Sequence, residues 1–258
     1  MQVVDIRVPK EGNSPEECED SLRYTLEEQI FVGAVADGAS QGYESRVFSR
    51  ILCDHFVSEF KEALPYDETA IREKFQTFLD GVIKAFDDEI TEKTKEKELK
   101  WYEENAIKTG SFSTFLGVVL NSEKGEGYCI GVGDCFLFQI KPFEKEPTEE
   151  DIKHLPIVYP ENYAEQSNTP YLLATESRYN GQLSDNLYLS PIKVEKGDAI
   201  IMATDAFSYF LIDHLENRRI IKDVPRCSEE GLRLIVDSGR KNKNLKNDDV
   251  AVIILRKE

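Results

Sequence analysis

The order of apolar patterns along this 258-residue chain predicts an α+β fold, a layered sandwich of strands and segregated helix pairs. Two observations carry the expectation. Strand-like runs come first, then two helical stripes, then strands, an irregular stretch, a strand, further helices and a last strand, so strands and helices do not alternate as a doubly wound parallel sheet requires. The chain is also 40% hydrophobic, enough at this length to bury roughly three quarters of its unfolded surface, and one domain over residues 1–258 is expected.

Val3 to Val8 alternates weakly and reads as the first strand, and Lys10 to Glu19 is a polar loop broken by Gly12 and Pro15. Leu22 to Tyr24 and Gln29 to Ala36 form an antiparallel pair around Glu27 and Glu28, the second run apolar enough to be buried on both faces. From Ser45 to Leu64, Val47, Phe48, Ile51, Leu52, Phe56, Val57, Phe60 and Leu64 recur at three and four positions, the stripe of an amphipathic helix. A second helix starts near Asp67, with Ile71, Phe75, Phe78, Leu79, Val82, Ile83, Phe86 and Ile90 as its expected buried stripe. The mixed charges from Glu92 to Lys100 read as a solvated helix end or loop.

Ser111 to Leu120, Gly127 to Gly133 and Cys135 to Ile140 are expected as three strands of one antiparallel meander. From Lys141 to Ser190 periodicity fades and prolines recur, which predicts a long flap-like segment. Ile192 to Val194 and Ala199 to Thr204 resume the sheet. Phe207 to Leu215 and Ser228 to Ser238 are helices, the latter with Leu232, Leu234 and Ile235 inside, and Val250 to Leu255 is the closing strand.

The formal charge of -17 gives a field that repels nucleic acid and anionic lipid. The five cysteines form no CxxC pair, which fits a reducing cytoplasm. The N-terminus lacks a basic segment followed by an apolar core, and no run approaches the ~20 apolar residues that span a bilayer, so a soluble cytoplasmic protein is expected.

Chemistry concentrates at aspartates beside strand ends. Phe31 to Ala36 runs into Asp37, Tyr128 to Gly133 into Asp134, Ala199 to Thr204 into Asp205, and Asp248 opens the last strand. One acidic residue at a strand mouth is ordinarily a turn residue, but several together make a site for hard divalent cations such as Mg²⁺ or Mn²⁺. Two such ions can share a water, lower its pKa and clamp phosphoester oxygens. Rival chemistries lack support. His55, His154 and His214 are scattered, no GxSxG elbow is present, and Gly131-Val-Gly133 lacks the third glycine of a phosphate cradle.

The motifs Ala36-Asp37-Gly38, Gly110-Ser111, Gly133-Asp134, Gly197 to Asp205 and Asn247-Asp248-Asp249 resemble, in order, those of the metal-dependent PP2C-type (PPM) protein phosphatases, and look closest to a bacterial branch of that family. The resemblance implies a four-layer αββα sandwich of two mainly antiparallel sheets flanked by helix pairs. It implies Asp37 as bridging ligand, Gly38 as a carbonyl ligand, and Asp205 and Asp248 as further ligands of two Mg²⁺ or Mn²⁺ ions. Asp134 matches the holder of a third, weaker ion, and Glu19 with Asp20 matches the acidic pair that holds metal-bound water; Glu19, Asp20 and Asp37 are the implied catalytic residues. Asp249 stands where many relatives have asparagine, which leaves open a one-position shift of the last ligand from Asp248.

Three departures accompany the match. The phosphate-gripping arginine expected four residues before Glu19 falls on Pro15; Arg50, or the cluster Arg240, Lys241, Lys243 and Lys246, is left to supply that charge. Ala206 replaces a glycine, tolerated only where the backbone is not left-handed. Ala39 replaces a histidine offered in some relatives as general acid.

The activity implied is hydrolysis of phosphoserine or phosphothreonine on proteins by direct attack of metal-activated hydroxide. The expected partner is a phosphoprotein, with no nucleic acid or membrane, and the expected state is a monomer. The alternatives are a catalytically impaired pseudophosphatase acting as a phosphoprotein-binding module, and a two-metal nuclease, which the -17 charge opposes.

Overall fold

Antiparallel pairing sorts the strands into two sheets and one small ribbon in the computed structural model, which describes residues 1–61, 66–140, 157–160, 170–215 and 217–257. The first sheet takes β1 (Gln2–Val8), β7 (Phe136–Ile140), β8 (Ile157–Tyr159), β11 (Ala199–Ala203) and β12 (Val250–Arg256), in the order β1-β12-β11-β7-β8. The second takes β2 (Asp20–Glu27), β3 (Ile30–Asp37), β5 (Phe115–Asn121), β6 (Glu126–Val132) and β10 (Tyr188–Lys193), in the order β10-β6-β5-β3-β2. The ribbon joins β4 (Phe112–Ser113) to β9 (Leu173–Ala174). The β2–β3 hairpin turns on Glu28 and Gln29, at φ 46° and 72°, the left-handed pair a tight hairpin requires, here without glycine.

The helices lie outside the sheets. α1 (Ser45–Glu59) and α2 (Glu68–Thr94) cover the second sheet, with Phe48, Phe56, Phe78 and Phe86 packed on Val32, Phe115 and Tyr128. α2 starts as expected, the Asp67 side chain accepting the Ala70 N–H at 3.0 Å. α3 (Trp101–Thr109) and the short α4 (Leu183–Asn186) follow. α5 (Asp205–Asp213), α6 (Arg218–Asp223) and α7 (Glu229–Lys241) belong to the other side, where Phe207, Phe210, Leu232 and Val236 pack on Phe138, Ile201 and Val252. Between the sheets, Phe31, Val35 and Val118 meet Leu137, Met202 and Ile253. Helix, sheet, sheet and helix therefore form four layers with three apolar seams.

Several expectations need correcting. β7 does not continue a meander with β5 and β6: Gly133, at φ 91°, turns the chain out of the second sheet and β7 pairs with β11 and β8. Of those three strands, only β5 and β6 pair as expected. α1 ends at Glu59 rather than Leu64; 62–64 lie outside the described residues. α3 went unpredicted because it buries none of its residues and so carries no apolar stripe. On α7, Leu234 is 60% exposed and Val236 is buried in its place. The flap-like stretch is described only in part; within it lie β8, β9, a helical turn at Ser177–Tyr179, α4 and the start of β10. Among the described residues no helix is long and apolar enough to cross a membrane.

Candidate active site

The strand register delivers the carboxylates. β2 and β3 pair with Asp20 opposite Asp37, so the first strand of the hairpin begins where the second ends. Gly38 then threads between Glu19 and Ser45, and a Cβ there would sit 2.6 Å from the Ser45 carbonyl oxygen and 3.0 Å from that of Glu19. Only glycine passes. Asp134 follows the Gly133 turn, Asp205 is the first residue of α5 directly after β11, and Asp248 precedes β12, whose Val252 pairs with Ala203. Asp20 and Asp134 are buried, while Asp37, Asp205 and Asp248 are half-buried.

Buried hydroxyls hold this arrangement from below. Thr204 donates to Asp20 Oδ2 at 2.6 Å and accepts the Ala251 N–H at 2.9 Å, tying the acid to the α5 start and β12. Thr114 Oγ1 accepts the Asp37 N–H at 3.1 Å, and Ser113 donates to the Asp37 carbonyl at 2.8 Å. Ser49 donates to the Glu19 carbonyl at 2.6 Å, and Ser45 to that of Ala39 at 2.6 Å. Such residues were missed from sequence, although Ser45 and Ser49, four apart on the buried side of α1, are the signal that could have found them.

The two final acids divide their work. Asp249 is buried and accepts the Lys10 and Glu19 N–H groups, both at 2.7 Å, closing the ends of the 10–19 loop. Asp248 points to the cluster, where its Oδ2 lies 2.6 Å from Lys246 Nζ. Arg240 donates to the carbonyls of Asp248, at 2.6 Å, and Pro9, at 2.9 Å, and thus anchors this corner.

Electrostatics show that the acids share one basin. Burial, followed by the charges of Asp205, Asp134 and Asp248, pushes the Asp37 carboxyl up to about 8. Asp20 is raised well above the usual range by burial and then by Asp37, against the Thr204 hydrogen bond. Asp134 rises to about 6, chiefly through burial and Asp205, and receives a hydrogen bond from Tyr209. Burial also raises Asp205, with Lys246 opposing it. Carboxylates in this state fit a hard divalent cation, and the Lys246 ammonium, lodged between Asp205 and Asp248, already occupies a cationic position there. Among the described residues no three acidic, imidazole or thiol side chains close into a finished metal cage. Mg²⁺ asks less, since it takes one or two carboxylates and keeps several waters.

Beside the cluster lies a cleft of about 500 Å³ lined by Lys10, Asn13, Glu16, Glu17, Glu19, Ser40, Glu44, Ser45 and Arg46. Glu19 stands in its wall and accepts a hydrogen bond from Ser40. Arg46 donates to the Glu16 carbonyl, next to Pro15, and lies 3.9 Å from Glu44. This arginine was missed from sequence; the pointer available was its place one turn before Arg50 on α1. Arg50 itself is engaged elsewhere, by Glu89 at 2.5 Å and Asp54 at 3.3 Å between the helices. Ala206 lies within α5 and is not left-handed, so its Cβ is tolerated, and its N–H donates to Asp205 Oδ1 at 2.5 Å. His55 pairs with Glu59, His214 meets the Phe210 carbonyl, and His154 lies outside the described residues.

A family model for protein phosphatase 2C matches residues 12–238. The chain belongs to the protein phosphatase 2C family. Its fold is similar to that of the photosystem II phosphatase PBCP, at 17% identity and a TM-score of 0.59, covering 100% of this chain and 99% of that one. It is likewise similar to RsbX solved in complex with magnesium, at 16% identity and 0.53, over 98% and 93% of the chains. Serine/threonine phosphatase Stp1 from Staphylococcus aureus gives 13% identity and 0.62, over 100% and 95%. At these identities the structural likeness bears on the fold alone. No curated protein matches the sequence. The protein phosphatase 2C family is one of metal-dependent protein phosphatases, and the α+β sandwich expected from sequence is its fold.

Proposed function

We propose that this chain hydrolyses phosphoserine and phosphothreonine on proteins with Mg²⁺ or Mn²⁺ bound among its aspartates. The observation that carries the reading is the meeting of Asp20, Asp37, Asp134 and Asp205 at one edge of the sandwich, each raised in pKa by burial and by neighbouring acids. Asp37, Asp205, Asp248 and the Gly38 carbonyl would hold two ions, and Asp134 a third. Bound there, such ions acidify water and neutralise charge on phosphoryl oxygens, which carboxylates alone do not do.

The remaining work falls to the chain itself. Thr204 fixes Asp20 through Oδ2 beside Asp37, whose carboxyl it hydrogen-bonds, and Asp20 would orient water there, while Glu19, steadied by Ser40, would do so at the cleft mouth. Arg46 and Lys10 line that cleft and would meet the substrate phosphate in place of the arginine replaced by Pro15. The expected result is turnover of a phosphothreonine peptide that needs Mn²⁺ or Mg²⁺, stops with chelator, and falls at least about a thousandfold in Asp37→Asn and Asp205→Asn. Turnover in excess chelator would overturn it.

A second reading, a phosphoprotein-binding module without turnover, draws on Lys246 standing where a catalytic cation is needed. Tight phosphopeptide binding by calorimetry, with no phosphate released at saturating Mn²⁺, would favour it.

A further inference from the structure

Asp205 and Asp248 each have one oxygen committed to the backbone and the other facing Lys246. Asp205 Oδ1 accepts the Ala206 N–H at 2.5 Å, and its Oδ2 lies 3.3 Å from Lys246 Nζ. Asp248 Oδ1 accepts the Asp249 N–H at 3.0 Å, and its Oδ2 lies 2.6 Å from the same nitrogen. The oxygens left for an ion on these two residues are those the ammonium takes.

We infer that Lys246 is a built-in competitor for the divalent ions of this site, and that loading the site swings its side chain out. The inference rests on the metal-site reading above. A lysine ammonium is a point charge without fixed directionality, able to bridge two carboxylates but carrying half the charge of Mg²⁺. An ion that binds both oxygens therefore replaces it by mass action.

The local structure permits that exchange without rearranging the ligands. The Lys246 side chain is 65% exposed, so its ammonium has water to move into. Its backbone neighbours are fixed: Leu245 is buried against Gly239, Asp249 is buried between Lys10 and Glu19, and Arg240 holds the Asp248 carbonyl. Only the side chain need turn. In the absence of ions the lysine separates two like charges drawn from distant parts of the chain, and in their presence it becomes a mobile cation at the rim.

The test is metal binding, measured on the full chain by calorimetry with Mn²⁺ and by electron paramagnetic resonance of the remaining free ion. Lys246→Met keeps the length and removes the charge; it is expected to bind Mn²⁺ roughly fivefold more tightly than the native chain, the scale of one partly exposed ion pair. Lys246→Arg, which keeps a competitor, should stay within about twofold, as should Lys241→Met, which removes a charge from the exposed end of α7. Melting in chelator gives a second readout: Lys246→Met should melt lower than the native chain there and match it once Mn²⁺ saturates both. Equal or weaker Mn²⁺ binding by Lys246→Met, or an equal gain in Lys241→Met, overturns the competitor role alone. No Mn²⁺ binding by any form overturns both this inference and the metal site on which it rests.

Discussion

Asp248 and Asp249 are adjacent acids whose side chains leave the backbone toward different tasks, one to the cluster and one to the loop that carries Glu19. Asp249 accepts two backbone N–H groups far away in sequence, those of Lys10 and Glu19. Hydrogen bonds to a charged acceptor are worth roughly 1.5–3 kcal/mol each, and partial access of water at Lys10 reduces their sum. Asp249→Ala is therefore expected to lose about 2–4 kcal/mol in urea denaturation with chelator present, and Asp249→Asn, which retains one acceptor oxygen, about half of that. A change below ~0.5 kcal/mol in the alanine variant would show that the loop is held without it.

At the scale of elements, α1 sets the floor of the site, because Ser45 and Ser49 face the loops while Phe48 and Phe56 face the sheet. The helix comes close enough for the Phe56 ring to fill the place of a side chain at Gly117 on β5, where a Cβ would lie 2.4 Å from Cζ. Gly117→Ala should destabilise by about 1–3 kcal/mol through overpacking. Gly81 on α2 has open space around it, so Gly81→Ala should stabilise by about 0.5–1 kcal/mol through helix propensity and reduced chain entropy. Thermal melts of the two variants moving in the same direction would contradict the close packing of α1 on β5.

For the whole molecule, the acidic cluster adds a local repulsion to a net charge of -17. An unfolded aspartate titrates near about 3.9, whereas native Asp134 lies at about 6 and native Asp37 at about 8. Between those values the native chain binds more protons than the unfolded chain, so the slope of unfolding free energy with pH is negative. Protein held in chelator should thus melt progressively lower as pH rises from about 4 to about 8. Saturating Mn²⁺ should flatten the dependence by neutralising the same acids. A melting temperature that rises across this window in chelator would show that the acids do not share one basin.

The local periods of the chain by themselves determined the α+β order, the stripes of α1 and α2, the Asp67 cap and the aspartates beside strand ends, because each depends on residues a few positions apart. Helix α3 escaped that reading, since a helix burying none of its residues leaves no period to read. Tertiary structure decided what depends on distant partners. A period of two says that Phe136 to Ile140 is a strand and not which sheet receives it, and the Gly133 turn sent it across to β11. Spacing likewise could not tell that Asp248 meets Lys246 while Asp249 takes the Lys10 and Glu19 N–H groups, or that Arg50 is held by Glu89 while Arg46 lines the cleft. Those choices rest on oxygens and nitrogens brought within hydrogen-bond reach by the meeting of two sheets, and the energy of such contacts falls too steeply with distance to be written in local sequence.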